Sequence, residues 1–123
     1  MRTMLVCLCI AMMACCVEAF TIREYLIVRD VKEGNLPSVA AAYIMGLGEG
    51  LAWANTVLHD AQGRRLFCPP EQVVLDGEGY KRILDETIAR LQATAYFEKT
   101  QNQRALGYYI LLGLQQAFPC KKP

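Results

Sequence analysis

The sequence predicts an all-α protein, a small single-domain bundle of about four helices with one disulfide. Three observations carry that prediction. Apolar residues return at helical spacing through three long segments. Capping and helix-stopping residues bracket those segments at the expected offsets. No stretch alternates apolar and polar residues over roughly 4–8 positions, as a half-buried strand would.

The first segment is not part of that bundle. Arg2 precedes an uncharged apolar run from Met4 to Val17, shorter than the ~20 apolar residues a membrane-spanning helix requires. Val17 and Ala19 stand where a signal peptidase reads small residues. Residues 1–19 therefore read as a secretory signal cleaved after Ala19, and the domain as residues 20–123, with no membrane span after cleavage. A lipoprotein signal ending at Cys15 is the alternative, although Met12 stands where that pattern prefers leucine. Cleavage removes four of the six cysteines and leaves Cys68 and Cys120. In an exported chain such a pair is expected to form a disulfide. Closing that loop removes unfolded-state freedom worth about 4 kcal/mol in the chain-entropy model. Cys68 as a nucleophile is the rival reading, and it requires a neighbouring base.

Thr21 and Glu24 have the capping-box spacing, which starts the first helix near Ile22. Ile22, Tyr25 and Leu26, with Val28 and Val31, supply its buried side, and Gly34, Asn35 and Pro37 stop it. Ser38 can cap the next helix. Over residues 39–58 only Glu49, Asn55 and Thr56 interrupt the apolar side chains, so this helix belongs in the centre of the fold. Val39, Ala42, Tyr43, Gly46, Leu47, Gly50, Ala54, Val57 and Leu58 form its expected inward stripe. Gly46 and Gly50, one turn apart, would admit a second backbone. Residues 60–74 lose periodicity and read as a long loop. Asp76 is the expected cap of a third helix, with Tyr80, Ile83, Leu84, Thr87, Ile88 and Leu91 inward and a charged outer face. Residues 94–102 fit either an extension of that helix or a loop around Tyr96 and Phe97. The Thr100–Gln103 spacing favours a restart, giving a last helix from about Asn102 to Ala117. Ala105, Leu106, Tyr109, Leu112 and Gln116 are its expected inward residues, and Pro119 ends it.

Composition narrows the function. With 13 Lys+Arg against 12 Asp+Glu and no basic cluster, the chain lacks the electrostatic footprint of a nucleic-acid binder. Its 54% hydrophobic content excludes disorder. One histidine, His59, and no His-x-x-x-His or Cys-x-x-Cys spacing predict no metal site and no cofactor. His59 at the end of the central helix suits the helix dipole; general-base work is the alternative. The Gly46-x-Gly48-x-Gly50 run follows a helix rather than a strand, so it does not read as a phosphate loop.

Three blocks carry a resemblance: Tyr43-Ile44-Met45-Gly46 with Glu49, Cys68-Pro69-Pro70-Glu71, and Ala117-Phe118-Pro119-Cys120. In order and approximate spacing they resemble the Rap/Tai family, which includes the immunity proteins of type VI secretion amidases. Many members carry a further cysteine before the first block, where this chain has Ala40. The resemblance implies a periplasmic, all-helical homodimer without enzymatic activity. Its protein partner would be a delivered peptidoglycan amidase, whose active-site cleft it covers.

The candidate contact residues follow from the loops. Gln62, Arg64, Arg65 and Phe67 combine charge, polar reach and an apolar side chain, the mixture expected of a binding surface; Tyr96 and Phe97 form a second candidate. Trp53, Tyr108 and Tyr109 read as core or rim aromatics, of which an exposed one would serve an interface. For Glu49 the readings are a buried carboxylate of raised pKa, a partner of Arg64 or Arg104, and simple exposure. A periplasmic structural or stress-related helical protein with no amidase partner is the alternative function, and an exposed apolar patch would favour it.

Overall fold

The computed structural model describes residues 19–31, 39–100 and 103–121. Within them the chain forms five helices: α1 (Ile22–Val28), α2 (Val39–Gln62), α3 (Gly77–Gln92), α4 (Ala95–Thr100) and α5 (Leu106–Ala117). The β pairing among the described residues is one isolated bridge between Thr21 and Ala105. The expected signal segment through residue 18, the expected turn at residues 34–37 and the expected Ser38 cap lie outside the described residues.

The chain enters α1 through the expected capping box. The Thr21 hydroxyl accepts the N–H of Glu24, and the Glu24 carboxylate accepts the N–H of Thr21 at 2.7 Å. That backbone bond holds the Glu24 carboxyl below its usual range. α1 stops at Val28, and Val31 is exposed. Asp76 caps α3 by accepting the N–H of Gly79 at 2.8 Å.

α3 lies at the centre and packs chiefly against α5 and α2. Tyr80, Ile83, Leu84, Thr87 and Ile88 are buried on its inner side, with Leu91 partly so. Close packing on both sides of α3 depends on glycine. A Cβ at Gly48 of α2 would collide with the ring carbons of Tyr80. A Cβ at Gly113 of α5 would lie 2.6 Å from Cγ2 of Ile83. α1 is fixed to α3 by Tyr25, whose hydroxyl donates to Asp85 at 2.8 Å. Asp85 also pairs with Lys81 at 2.8 Å and with Arg29 at 3.7 Å. Burial, reinforced by the Asp85 carboxylate, raises the Tyr25 phenol well above its usual range.

The central place expected for α2 falls to α3, and several further expectations are corrected. The inward side of α2 is Ala40, Ile44, Gly48 and Asn55, with Leu47, Leu51 and Leu58 half-buried. Val39, Tyr43, Gly46, Gly50 and Val57, placed inward from periodicity, face out. A helix apolar on nearly every side carries no periodic sign of which side packs. Gly48, not Gly46 or Gly50, is the close-approach glycine, since a Cβ at either of the others meets nothing within 4 Å.

α2 also runs one turn further than expected. It ends where Gly63, at φ +65°, donates to the carbonyl of His59 at 2.7 Å, a left-handed cap that glycine adopts without a Cβ penalty. Thr100 does not cap the last helix. Its hydroxyl donates back to the carbonyl of Tyr96 within α4 and accepts from Tyr109 at 2.9 Å. α5 starts instead at Leu106, whose N–H is taken by the carbonyl of Phe20 at 2.8 Å. Finally, Ile110, Gly113 and Leu114 join Leu106 and Tyr109 on its buried face, whereas Ala105 and Gln116 are exposed.

Candidate functional site

Between α2 and α3 the chain makes an irregular loop whose backbone is fastened at several points. Asn55, only 5% exposed on α2, reaches into it. Its side-chain carbonyl accepts the N–H of Leu66 at 2.6 Å and of Phe67 at 3.3 Å, and its amide donates to the carbonyl of Phe67 at 2.9 Å. One buried amide thereby substitutes for the backbone partners that a loop lacks. The next residue donates its N–H to the carbonyl of Phe118 at 2.8 Å. There the Cys68–Cys120 disulfide joins the loop to the chain beyond α5, closing a separation of 52 positions. Cys68 is therefore not a free thiol.

Phe67 is 3% exposed and belongs to the core. Read from the sequence as an apolar contact for a partner, it is instead the plug that seats the loop. On its N-terminal side Gln62, the last residue of α2, and Arg64 and Arg65 of the loop are exposed. The loop thus presents two guanidinium groups from a backbone held at Asn55, Phe67 and Cys68. Such a fixed loop pays little ordering entropy on binding.

The second candidate separates in the same way. Phe97 is 5% exposed and packs inward from α4, while Tyr96 is 42% exposed. The Tyr96 and Tyr108 hydroxyls lie 3.2 Å apart, and the Arg104 guanidinium sits 4.4 Å from the Tyr108 ring centre and 5.9 Å from that of Tyr96. The hydrogen bond to Tyr108 raises the Tyr96 phenol above its usual range. Tyr109 is a core residue, edge-on to Tyr108. The structure does not bring the two candidates together. The tyrosine cluster sits at the start of α5, and the arginine loop is tied to the chain just beyond its end through Phe118 and Cys120, so the 12-residue helix, roughly 18 Å long, runs between the two attachment points.

Other candidate residues fall on the surface of α2. His59 is exposed in its last turn. Glu49 is exposed and makes no ion pair among the described residues, with Arg64, Arg104 or otherwise. Trp53 is 71% exposed, with Val39, Tyr43, Met45 and Val57 exposed along the same helix. Among the described residues no three His, Cys, Asp or Glu side chains gather to hold a metal ion. No described helix is long and apolar enough to cross a membrane.

Asn55 is the residue that sequence reasoning passed over. Its signal was present, since a lone amide in an apolar helix needs a buried partner. Neither family models, curated proteins nor solved structures match the chain. The fold and the site define a small all-α domain, tied by one disulfide, with a fastened loop displaying two arginines.

Proposed function

We propose that this chain is a periplasmic immunity protein that binds a type VI secreted peptidoglycan amidase and occludes its cleft. One observation carries the reading: the loop bearing Arg64 and Arg65 is locked by Asn55, the Phe67 plug and the Cys68–Cys120 bridge. An occluding protein performs no chemistry. It needs a surface that enters the cleft already in its bound shape, so that the binding free energy is not lost to ordering. Gln62, Arg64 and Arg65 are the contact residues on this reading, with Tyr96 as a separate, secondary contact. The sequence resemblance to the Rap/Tai family supplies the partner class.

The outward apolar face of α2 bears on the oligomer. Val39, Tyr43, Trp53 and Val57 stand there with the uncovered Gly46 and Gly50, a surface that a homodimer would bury. The same face supports the second reading, a stress-related protein that holds unfolded clients against exposed apolar surface. Oligomeric state separates the two. A dimer protected from solvent along α2 supports the immunity reading, and a monomer that suppresses aggregation of unfolded clients supports the other.

The test of function is protection. The full-length chain is co-expressed with type VI peptidoglycan amidases directed to the periplasm, and lysis is followed. Rescue by a stoichiometric complex is expected. Lysis at an unchanged rate with the chain well expressed counts against the immunity reading.

A further inference from the structure

Beside the apolar face of α2 lies a small open cavity of about 340 Å³, lined by Glu49, Ala52, Trp53 and Thr56 of α2 and by Tyr80 of α3. Its volume is at the lower end for ligand sites and suits one long side chain rather than a folded segment. The lining is chemically uneven. Glu49 contributes a carboxylate with no cation paired to it among the described residues. Trp53 contributes an exposed indole, Tyr80 a buried ring packed on Gly48, and Thr56 a hydroxyl that already donates to the carbonyl of Ala52 at 3.1 Å. The Glu49 charge is felt at the Tyr80 phenol, where it adds to the upward shift caused mainly by burial, so the two groups share one space.

We infer that this notch receives an arginine side chain presented by a protein partner. The guanidinium would pair with the Glu49 carboxylate while its face lies against the Trp53 indole. Arginine fits better than lysine because its planar, weakly hydrated cation both pairs with a carboxylate and stacks on an aromatic face. An uncharged apolar side chain would leave Glu49 unpaired at the contact. Trp53, an amphipathic aromatic at the rim of a cavity, is also the residue type in which interface energy concentrates. This inference is independent of the arginine loop, since it concerns α2 and α3, but it needs Trp53 accessible and so holds for a monomer or for a dimer that leaves the Glu49 side of α2 open.

The chain supplies its own probe. Trp53 is its only tryptophan, so a ¹⁵N-labelled sample gives one indole N–H resonance, and that resonance reports on the notch. Titration with Nα-acetyl-arginine amide is expected to shift it saturably, with a Kd of about 10–100 mM for one exposed cation on one acid and one ring. The lysine amide binds more weakly, and the uncharged norleucine amide gives no saturable shift. Glu49→Gln weakens arginine amide about two- to fivefold, and Glu49→Lys abolishes saturation; Glu49 is exposed, so neither change threatens the fold. Equal shifts with norleucine amide, or a titration unchanged in Glu49→Lys, would overturn the inference. So would an indole resonance unresponsive to arginine amide in a dimer that Glu49→Lys dissociates, because the occupant would then be a second copy of this chain.

Discussion

Replacing Asn55 by alanine removes the clamp on the arginine loop, and its cost follows from what is left behind. Three bonds are lost: to the N–H of Leu66, and to both the N–H and the carbonyl of Phe67. Leu66 is half-buried and gains water readily, but Phe67 is 3% exposed. Two buried backbone groups are therefore orphaned, each at about 1–3 kcal/mol. Allowing for some relaxation, the loss is about 2–4 kcal/mol. In urea, with a slope of about 1–3 kcal/mol per molar for a domain of this size, the midpoint falls by about 1–2 M. The assay is urea unfolding with the disulfide intact, followed by far-UV circular dichroism and by Trp53 fluorescence. Amide exchange at Leu66 and Phe67 should also accelerate more than exchange in the centre of α3. A loss below about 0.5 kcal/mol, with exchange at both amides unchanged, would refute the view that Asn55 fixes the loop.

Two further predictions concern packing and pH. Gly48→Ala is expected to cost about 1–3 kcal/mol, because the Tyr80 ring must move. Gly46→Ala, which meets open space on the same helix, should stabilise by about 0.5–1 kcal/mol, and urea melts of the two variants decide between the faces of α2. Tyr25 has a raised phenol, chiefly through burial, so its neutral form is favoured in the fold. Its contribution is complete below the unfolded pKa near 10 and is lost as pH rises above it, at about 1.4 kcal/mol per pH unit until the folded group ionises. Tyr25→Phe should lose the bond to Asp85 at neutral pH yet show a shallower fall of stability above pH 10, measured by urea melts across that range.

Local chemistry was legible and tertiary choice was not. The Thr21–Glu24 box, the Asp76 cap and the inner face of α3 could be read because each depends on residues within one or two turns. The cysteine pair could be read because setting aside the expected signal segment leaves two cysteines. The inward side of α2 could not, since its apolar residues surround the helix and only the fit of Tyr80 over Gly48 selects a side. Thr100 misled because its hydroxyl had two uses within reach, and the i−4 carbonyl and Tyr109 took it in place of a cap. For the same reason only four of the six candidate contacts, Gln62, Arg64, Arg65 and Tyr96, lie at the surface. Those four are polar or amphipathic and stay there. Phe67 and Phe97, equally plausible as contacts by type, are drawn into the core that closes beneath each loop.

The proposed role is tested most directly by charge reversal on the loop in the protection assay. Against an amidase that the chain neutralises, Arg64→Glu with Arg65→Glu should abolish rescue and complex formation. Both residues are exposed, so the urea midpoint should stay within about 0.3 M of the parent, as surface changes seldom exceed 0.5 kcal/mol. Full rescue by the folded double variant would contradict occlusion by this loop, and failure of the parent chain to bind any such amidase would contradict the immunity role itself.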